Sequence, residues 1–177
     1  MSNIILQHFN GDLRPLDKAS IANIKEYAKR IGADYELITG RPFRKHLTDP
    51  CQKVYMIDEK WDEYDDVLML DIDMFSTKNF PNVFEAIGCG LYNPIQQRLH
   101  ERLVQNFKGE GIIHHLSQSA DLMFTKDDIM DPRWCYDNYL PNPAGAFMIH
   151  VRTKIAPQGP KREKYENYMG LVEQGIL

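Results

Sequence analysis

Cysteine is scarce in this chain of 177 residues, and the three that occur, Cys51, Cys89 and Cys135, lie far apart. Because no two of them form a Cys-x-x-Cys pair, the sequence gives no indication of a cysteine zinc site or of dithiol redox chemistry. Their odd number and wide spacing favour buried thiols in a reducing compartment. We therefore expect a cytoplasmic protein.

Long apolar runs and an excess of basic residues are also absent from the sequence. The N-terminal stretch MSNIILQH is too short an apolar segment for a signal peptide, and no stretch approaches the length of a membrane span. Lys and Arg number 21 against 25 Asp and Glu, which gives a net charge of −4. There is thus no general basic field for nucleic acid or anionic lipid. We predict a soluble protein with no membrane span and no nucleic-acid partner.

The remaining composition is that of a globular protein. Hydrophobic residues make up 43% of the chain and charged residues 26%, a balance that argues against extended disorder. A chain of this length fits one domain that buries roughly two-thirds of its unfolded surface. We predict a single domain over 1–177.

Hydrophobic periodicity predicts alternating strands and helices in the first half. Strands are expected at 3–9, 34–39 and 64–75, and helices at 17–31, which stops at Gly32, and at 51–60. This alternation is typical of a mostly parallel sheet flanked by helices, the Rossmann-like form of an α/β fold. In the second half we expect helices at 81–87, 95–107, partly at 127–139, and at 161–173, with strands at 88–92 and 144–151.

The third predicted strand ends in two aspartates separated by one residue. Residues i and i+2 of a strand face the same way, so this prediction puts the Asp71 and Asp73 carboxylates on one side of the backbone. Ligands of open α/β sheets bind beyond the carboxyl ends of such strands, and paired carboxylates suit Mg²⁺ or Mn²⁺. Asp-x-Asp also arises by chance in solvated turns, but its position after a buried apolar run favours a metal site.

Four segments resemble the GT-A class of nucleotide-sugar glycosyltransferases, in particular the retaining glycogenin and bacterial galactosyltransferase family. EYDDVLMLDID (63–73) resembles the segment around that family's metal motif. NPAGAFMI (142–149) is similar to its sugar-pocket strand, and EQGIL (173–177) to an element near its acceptor. The pattern N-x3-YA-x3-G-x-DY (23–35) is similar to related transferases, including small viral ones, which is compatible with a viral protein acting in host cytoplasm.

The resemblance implies a GT-A-like fold, with a nucleotide-binding half at about 1–75 and an acceptor half at about 76–177. It also implies transfer of a sugar, with retention, from a UDP-sugar donor to a carbohydrate hydroxyl, with Mn²⁺ or Mg²⁺ as cofactor. Asp71 and Asp73 would hold the metal. The donor site would be completed by the phosphate-binding cation Lys53, by Phe9 and Asn10 beside the base and ribose, and by Ala144 and Gly145 in the sugar pocket.

Several further side chains are candidates on their chemistry alone. Arg41 and Arg44 lie in a basic loop and are able to clamp phosphate. Asp121 is a candidate general base, with a helix cap or solvated turn as the ordinary explanation. His150 is a candidate metal ligand, with a hydrogen-bonded structural histidine as the alternative. Each of these predictions depends on the fold bringing the residue to the aspartates.

Two departures from the family pattern leave alternatives open. The family's His in a later Gly/Lys-containing motif has no counterpart here, so the third metal ligand is another residue or water, or the chain is a truncated or minimal form. Pro143 interrupts the sugar-pocket strand. The alternatives to a transferase are a non-catalytic nucleotide-sugar-binding module and a haloacid-dehalogenase-type phosphatase, which also ends a buried strand in Asp-x-Asp.

Overall fold

The computed structural model describes residues 2–87, 91–92, 113–114, 136–137, 145–153 and 158–177. Across these residues the protein is a mixed α/β structure with two sheets. Within the same ranges, no helix combines the length and apolar character needed to cross a membrane. The predicted helix at 95–107 lies outside the described residues.

The main sheet is parallel throughout, as the alternating pattern predicts. Strand β1 (Asn3–Phe9) lies between β2 (Asp34–Thr39) and β3 (Asp66–Leu70), and pairs with both in parallel. The sheet continues from β3 to the two-residue strands β5 (Leu91–Tyr92) and β6 (Ile113–His114), also in parallel. The predicted bounds of β1 and β2 are confirmed. The carboxyl ends of β1 and β3 therefore lie side by side at the same end of the sheet.

Both faces of this sheet are covered, which explains why β1 and β3 are apolar without alternation. On one face, Ile5, Leu68 and Leu70 pack with Ile24 and Tyr27 of helix α1 (Pro15–Ile31). The opposite face carries the intervening side chains of the same strands and packs against the segment that follows β2: Ile4, Leu6, Val67 and Met69 with Met56 and Trp61. The helix-flanked parallel sheet predicted from the sequence is confirmed at this level.

Helix α1 begins two residues before its predicted start. Pro15 occupies the first turn, where its missing N–H is not needed. The Arg14 backbone N–H donates to Asp17 Oδ2 at 2.8 Å, and the Arg14 guanidinium pairs with the same buried carboxylate. At the other end Gly32 adopts φ 72°, the left-handed conformation that glycine tolerates best. The stop at Gly32 is thus confirmed.

The helix predicted at 51–60 is instead two short 3₁₀ helices, η1 (Asp49–Ile57) and η2 (Glu59–Trp61). Asp58 separates them because its side chain accepts a hydrogen bond from the Lys60 N–H at 3.1 Å and so caps the second one. Cys51 in η1 is a free, half-buried thiol and not a fully buried one. The loop predicted between β2 and this segment is confirmed, with Arg44 at φ 46°.

The third predicted strand is divided by a turn. Strand β3 ends at Leu70, and the Met74 N–H donates to the Asp71 carbonyl at 3.2 Å, which closes a turn over 71–74. Strand β4 (Met74–Ser76) then joins a second sheet, antiparallel to β8 (Met148–His150), which pairs in parallel with β7 (Tyr136–Asp137). The prediction that Asp71 and Asp73 share one strand face is therefore wrong.

Where the second half is described, several predicted elements occur in shortened form. Helix α2 (Val83–Ile87) and strand β8 lie within their predicted ranges. The terminal helix α3 (Lys164–Glu173) begins three residues after its predicted start. Strand β7 lies inside the range 127–139 that is expected to be partly helical, and the rest of that range lies outside the described residues, so this expectation stays a prediction. Leu171 of α3 packs with Leu16 and Phe75, which joins the terminal helix to α1 and β4.

Candidate metal centre and cleft

A turn at the carboxyl end of β3 carries the two aspartates. The turn is fixed from below by Gln7 of β1, which is fully buried in the sheet. Its amide N–H donates to the Asp71 carbonyl at 3.1 Å and to Ser20 Oγ at 3.0 Å, while Tyr35 OH donates to its amide oxygen at 2.9 Å. The main chain of Asp71 is therefore anchored to the central strand.

Strand β8 brings a histidine to the same turn. The Val151 N–H donates to the Asp73 carbonyl at 2.9 Å, which extends the β4 and β8 pairing to the turn. His150 Nε2 then lies 3.3 Å from Asp73 Oδ1. Ligand atoms of Asp71, Asp73 and His150 all lie within 4.8 Å of one another. The turn and β8 thus bring the three side chains together, although Asp71 and Asp73 do not lie on a strand.

Two lysines from distant parts of the chain pair with the two carboxylates. Lys53 of η1 forms an ion pair with Asp71, and its side chain is 16% exposed. Lys164, the first residue of α3, forms an ion pair with Asp73 through Oδ2 and is 34% exposed. Each carboxylate therefore has its own cation, one largely buried and the other half-open to solvent.

Burial and charge act in opposite directions on these groups. Burial alone would raise the pKa of Asp73, but the hydrogen bond and charge of His150, together with Lys164, lower this pKa well below its ordinary range. For Lys53, burial lowers the pKa to about 8, against the opposing effect of Asp73. Asp73 is therefore an anion across the physiological range, as a metal ligand must be.

A cleft of about 240 Å³ opens beside the aspartates. Its walls come from three chain segments: 8–10 at the end of β1, Asp49, Pro50 and Lys53 of η1, and 71–73 of the turn. It lies outside the carboxyl ends of adjacent parallel strands, which is where open α/β sheets bind ligands. Five predicted site residues line it: Phe9, Asn10, Lys53, Asp71 and Asp73.

The basic loop contributes to this cleft only indirectly. The Arg41 guanidinium donates to Asp49 Oδ1 at 3.1 Å, and the Asn10 amide donates to the same oxygen at 3.1 Å. Arg41 therefore holds Asp49, a residue of the cleft wall, in place. Arg41 itself is not one of the described residues that line the cleft. Arg44 stacks over the Phe43 ring at 5.4 Å. The described contacts of Arg41 and Arg44 do not include Asp71 or Asp73. Phosphate binding by these two arginines stays a prediction.

The predicted sugar-pocket and general-base residues lie mostly outside the described part of the chain. Asp121 and Ala144 fall outside it. Gly145 is described and exposed, and it is not among the described residues that line the cleft. Their assigned roles stay predictions.

Sequence reasoning missed several residues that the structure places at or under the site. Lys164 follows Asp73 by 91 residues, and no local pattern marks it. Gln7 did carry a signal, because it is an amide that directly follows the apolar run Ile4, Ile5 and Leu6, and a buried amide needs partners. His8 also lines the cleft, with Nε2 at 2.7 Å from the Gly40 carbonyl.

The donor set at 71, 73 and 150 suits a divalent cation. Two carboxylates supply hard oxygen ligands and the imidazole supplies a nitrogen, a mixture that fits Mn²⁺ better than Mg²⁺, which prefers oxygen alone. Lys53 and Lys164 also neutralise the two aspartates, as the cations of a purely structural ion-pair network would. Metal binding must therefore compete with internal cations.

Comparisons of this chain with protein-family models, with curated proteins and with solved structures find no match.

Proposed function

We propose that this protein is a metal-dependent glycosyltransferase that moves a sugar from a UDP-sugar donor to a carbohydrate hydroxyl. The observation that carries the proposal is the grouping of Asp71, Asp73 and His150 within 4.8 Å, beside a cleft at the carboxyl ends of β1 and β3. The GT-A-like motif order in the sequence is its second support. A GT-A fold, a UDP-sugar donor and Mn²⁺ or Mg²⁺ belong to this proposal.

Asp71, Asp73 and His150 would hold the cation, which when bound supplies Lewis-acid stabilisation of the departing nucleotide diphosphate. Asp71 and Asp73 serve as the anionic ligands, and Gln7 keeps the turn that carries them in register with β1. The side chain of His150 reaches the site from β8 because Val151 is hydrogen-bonded to the turn. Three separate elements thus fix the ligand geometry before the donor arrives.

Lys53 is the residue best placed to bind a phosphate of the donor. It lines the cleft, pairs with Asp71 and is largely buried, so its ammonium is poorly solvated and its interaction with an anion is strong. A cation at that place stabilises the negative charge that develops on the leaving diphosphate. Phe9 and Asn10 form the adjacent wall, where a base and ribose would lie.

A donor-cleavage assay tests the proposal. The protein is incubated with Mn²⁺ and each member of a panel of UDP-sugars, and released UDP is measured with and without a panel of simple sugar acceptors. We expect UDP release with at least one donor, lost in chelator and reduced by at least about a hundredfold in Asp73→Asn, since a metal ligand is removed. Lys60→Met, which breaks the exposed Lys60–Glu36 pair, is the matched control and should keep full activity.

Two outcomes separate the alternatives. Metal-dependent UDP binding without donor cleavage across the panel would favour the non-catalytic nucleotide-sugar-binding module. Hydrolysis of p-nitrophenyl phosphate that is lost in Asp71→Asn, with no affinity for UDP, would favour the phosphatase. Either result replaces the transferase assignment.

A further inference from the structure

The ion pair between Lys164 and Asp73 occupies part of the candidate metal centre. Asp73 Oδ2 accepts from the Lys164 ammonium, and Oδ1 of the same carboxylate faces His150 Nε2 at 3.3 Å. The ammonium group has N–H donors but no lone pair, so it is unable to coordinate a metal ion together with Asp73. A divalent ion bound to this carboxylate would instead repel it. Metal binding and the Lys164 pair therefore oppose each other.

Lys164 is the more easily displaced of the two lysines. Its side chain is 34% exposed, whereas that of Lys53 is 16% exposed. Lys164 is the first residue of α3, and other contacts hold that helix to the rest of the described structure. Tyr168 stacks on Phe75 at 4.9 Å, and the Asn167 amide donates to the Arg152 carbonyl at 2.6 Å. The Lys164 side chain is thus able to leave Asp73 while α3 stays in place.

The charges at the centre balance without a metal and do not balance with one. Asp71 and Asp73 are compensated by Lys53 and Lys164. A bound divalent cation would leave two positive charges in excess, and each phosphate of a diphosphate bridge carries a negative charge that offsets one of them. A metal alone is therefore disfavoured relative to a metal together with a diphosphate.

We infer that Lys164 is an exchangeable counter-cation, which neutralises Asp73 in the metal-free protein and transfers to a donor phosphate when a divalent cation takes its place. The first half of this inference concerns only metal binding, and the second half rests on the proposed function. Together they make Lys164 a positioning residue that couples metal affinity to nucleotide affinity. Lys53, whose ammonium has three N–H donors, keeps its ion pair with Asp71 when it also binds a donor phosphate.

Calorimetry on the full chain tests the exchange, because Lys164→Met changes the two affinities in opposite directions. Removing the competing cation should tighten binding of Mn²⁺ alone by about three- to tenfold, whereas removing a phosphate partner should weaken binding of UDP at saturating Mn²⁺ by about tenfold. Lys164→Arg keeps the charge and should resemble the unchanged protein in both titrations. Lys60→Met is the control for loss of a lysine–glutamate pair away from the cleft.

A purely structural role for Lys164 would weaken both affinities together, and unchanged or weaker Mn²⁺ binding in Lys164→Met would overturn the inference even if UDP binding stays metal-dependent. Unchanged UDP affinity in that variant would overturn the transfer to phosphate. Tighter Mn²⁺ binding with no UDP affinity in any variant would support the counter-cation and refute the proposed function. An unchanged far-UV circular dichroism spectrum and an unchanged urea midpoint in each variant would show that the fold is retained.

Discussion

At the scale of single residues, the side chain with the most demanding position is Asp73. It is buried, yet it stays ionised because His150 and Lys164 surround it with positive or hydrogen-bonding groups. A buried carboxylate with a lowered pKa and a histidine beside it is a candidate functional group and not only a structural one. Whether His150 is a metal ligand or a structural histidine distinguishes a functional role of Asp73 from a purely structural one.

We expect His150→Ala to weaken Mn²⁺ binding by at least about tenfold, because one ligand of three is lost. Isothermal calorimetry with Mn²⁺ measures the change. The control is His46→Ala in the exposed loop after β2, which should leave Mn²⁺ affinity as it is. A structural histidine would behave differently, with lower protein stability and unaltered Mn²⁺ affinity in His150→Ala.

His8 is expected to make the protein less stable in mild acid. Burial, the largest influence, lowers the pKa of His8 below 6.5, although the Gly40 carbonyl and Asp49 oppose this shift. The unfolded chain then binds a proton that the folded chain excludes, so the free energy of unfolding falls as pH drops below about 6.5, with a slope of at most about 1.4 kcal/mol per pH unit from this group.

Urea denaturation at pH 7.5 and pH 5.5 measures this effect. His8→Gln keeps an N–H able to reach the Gly40 carbonyl but has no titrating group, so the loss of stability between the two pH values should be smaller in this variant. An equal loss in both proteins would assign the acid sensitivity to other residues.

Which site residues were predictable follows from how local their signals are. Asp71 and Asp73 were found because they follow an apolar run directly, and Lys53 because a family likeness marks its segment. His150 was only a candidate, since nothing in its neighbourhood reveals what the strand pairs with. Lys164 carried no signal at all, because its role depends entirely on the docking of α3.

At the scale of elements, the central strand β1 connects the sheet to the site. Its apolar residues build both faces of the core, while Gln7 forms the hydrogen bonds that hold the Asp71 turn. Strand β4, which follows the turn, is held separately by α1, since Asn23 donates to the Ser76 carbonyl and accepts from the Ser76 N–H. These two anchors give a matched pair of variants.

Gln7→Leu should lower the free energy of unfolding by roughly 2–4 kcal/mol, because Tyr35 OH, Ser20 and the Asp71 carbonyl lose a buried partner. It should also weaken Mn²⁺ binding, since the turn that carries the ligands is no longer fixed. Asn23→Leu should lower stability as well but leave Mn²⁺ affinity nearly unchanged. Denaturant titration and calorimetry on both variants measure the difference. Equal Mn²⁺ affinities for Gln7→Leu and Asn23→Leu would contradict a positioning role for Gln7.

The strands of the main sheet were predictable from sequence because their signals are dense and local. Strands β1 and β2 are bounded by turn residues, and β3 is an apolar run. The turn between β3 and β4 was not predictable, because the apolar residues Leu70 and Met74 flank it and because β4 pairs with β8, far along the chain. The division of this segment into η1 and η2 likewise was not predictable, since it depends on Asp58, which ends the first and caps the second.

At the scale of the whole molecule, the candidate centre is assembled from four separated segments. Lys53, the 71–73 turn, His150 and Lys164 come from η1, the end of β3, β8 and α3. A single sequence indicates that each segment exists but not which segments meet, since strand order and helix docking are long-range properties. A ligand at this centre would therefore crosslink elements that are distant in the chain.

Mn²⁺ should consequently raise the melting temperature. At a concentration of one hundred times its Kd, a ligand that binds only the folded state adds about 2.7 kcal/mol, which is a rise of roughly 5–10 °C for a protein of this size. Differential scanning calorimetry should show this rise in the unchanged protein, a smaller one with Mg²⁺, and none in Asp73→Asn. A similar rise in Asp73→Asn would indicate that Mn²⁺ binds elsewhere.

The claim on which the account depends is that Asp71 and Asp73 hold a divalent cation that binds a nucleotide diphosphate. Calorimetric titration of UDP into the protein, once with Mn²⁺ and once with excess chelator, tests it most directly. UDP should bind with Mn²⁺ and lose at least about a hundredfold in affinity in chelator, with the same loss in Asp73→Asn when Mn²⁺ is present. Equal UDP affinity in Mn²⁺ and in chelator would contradict it.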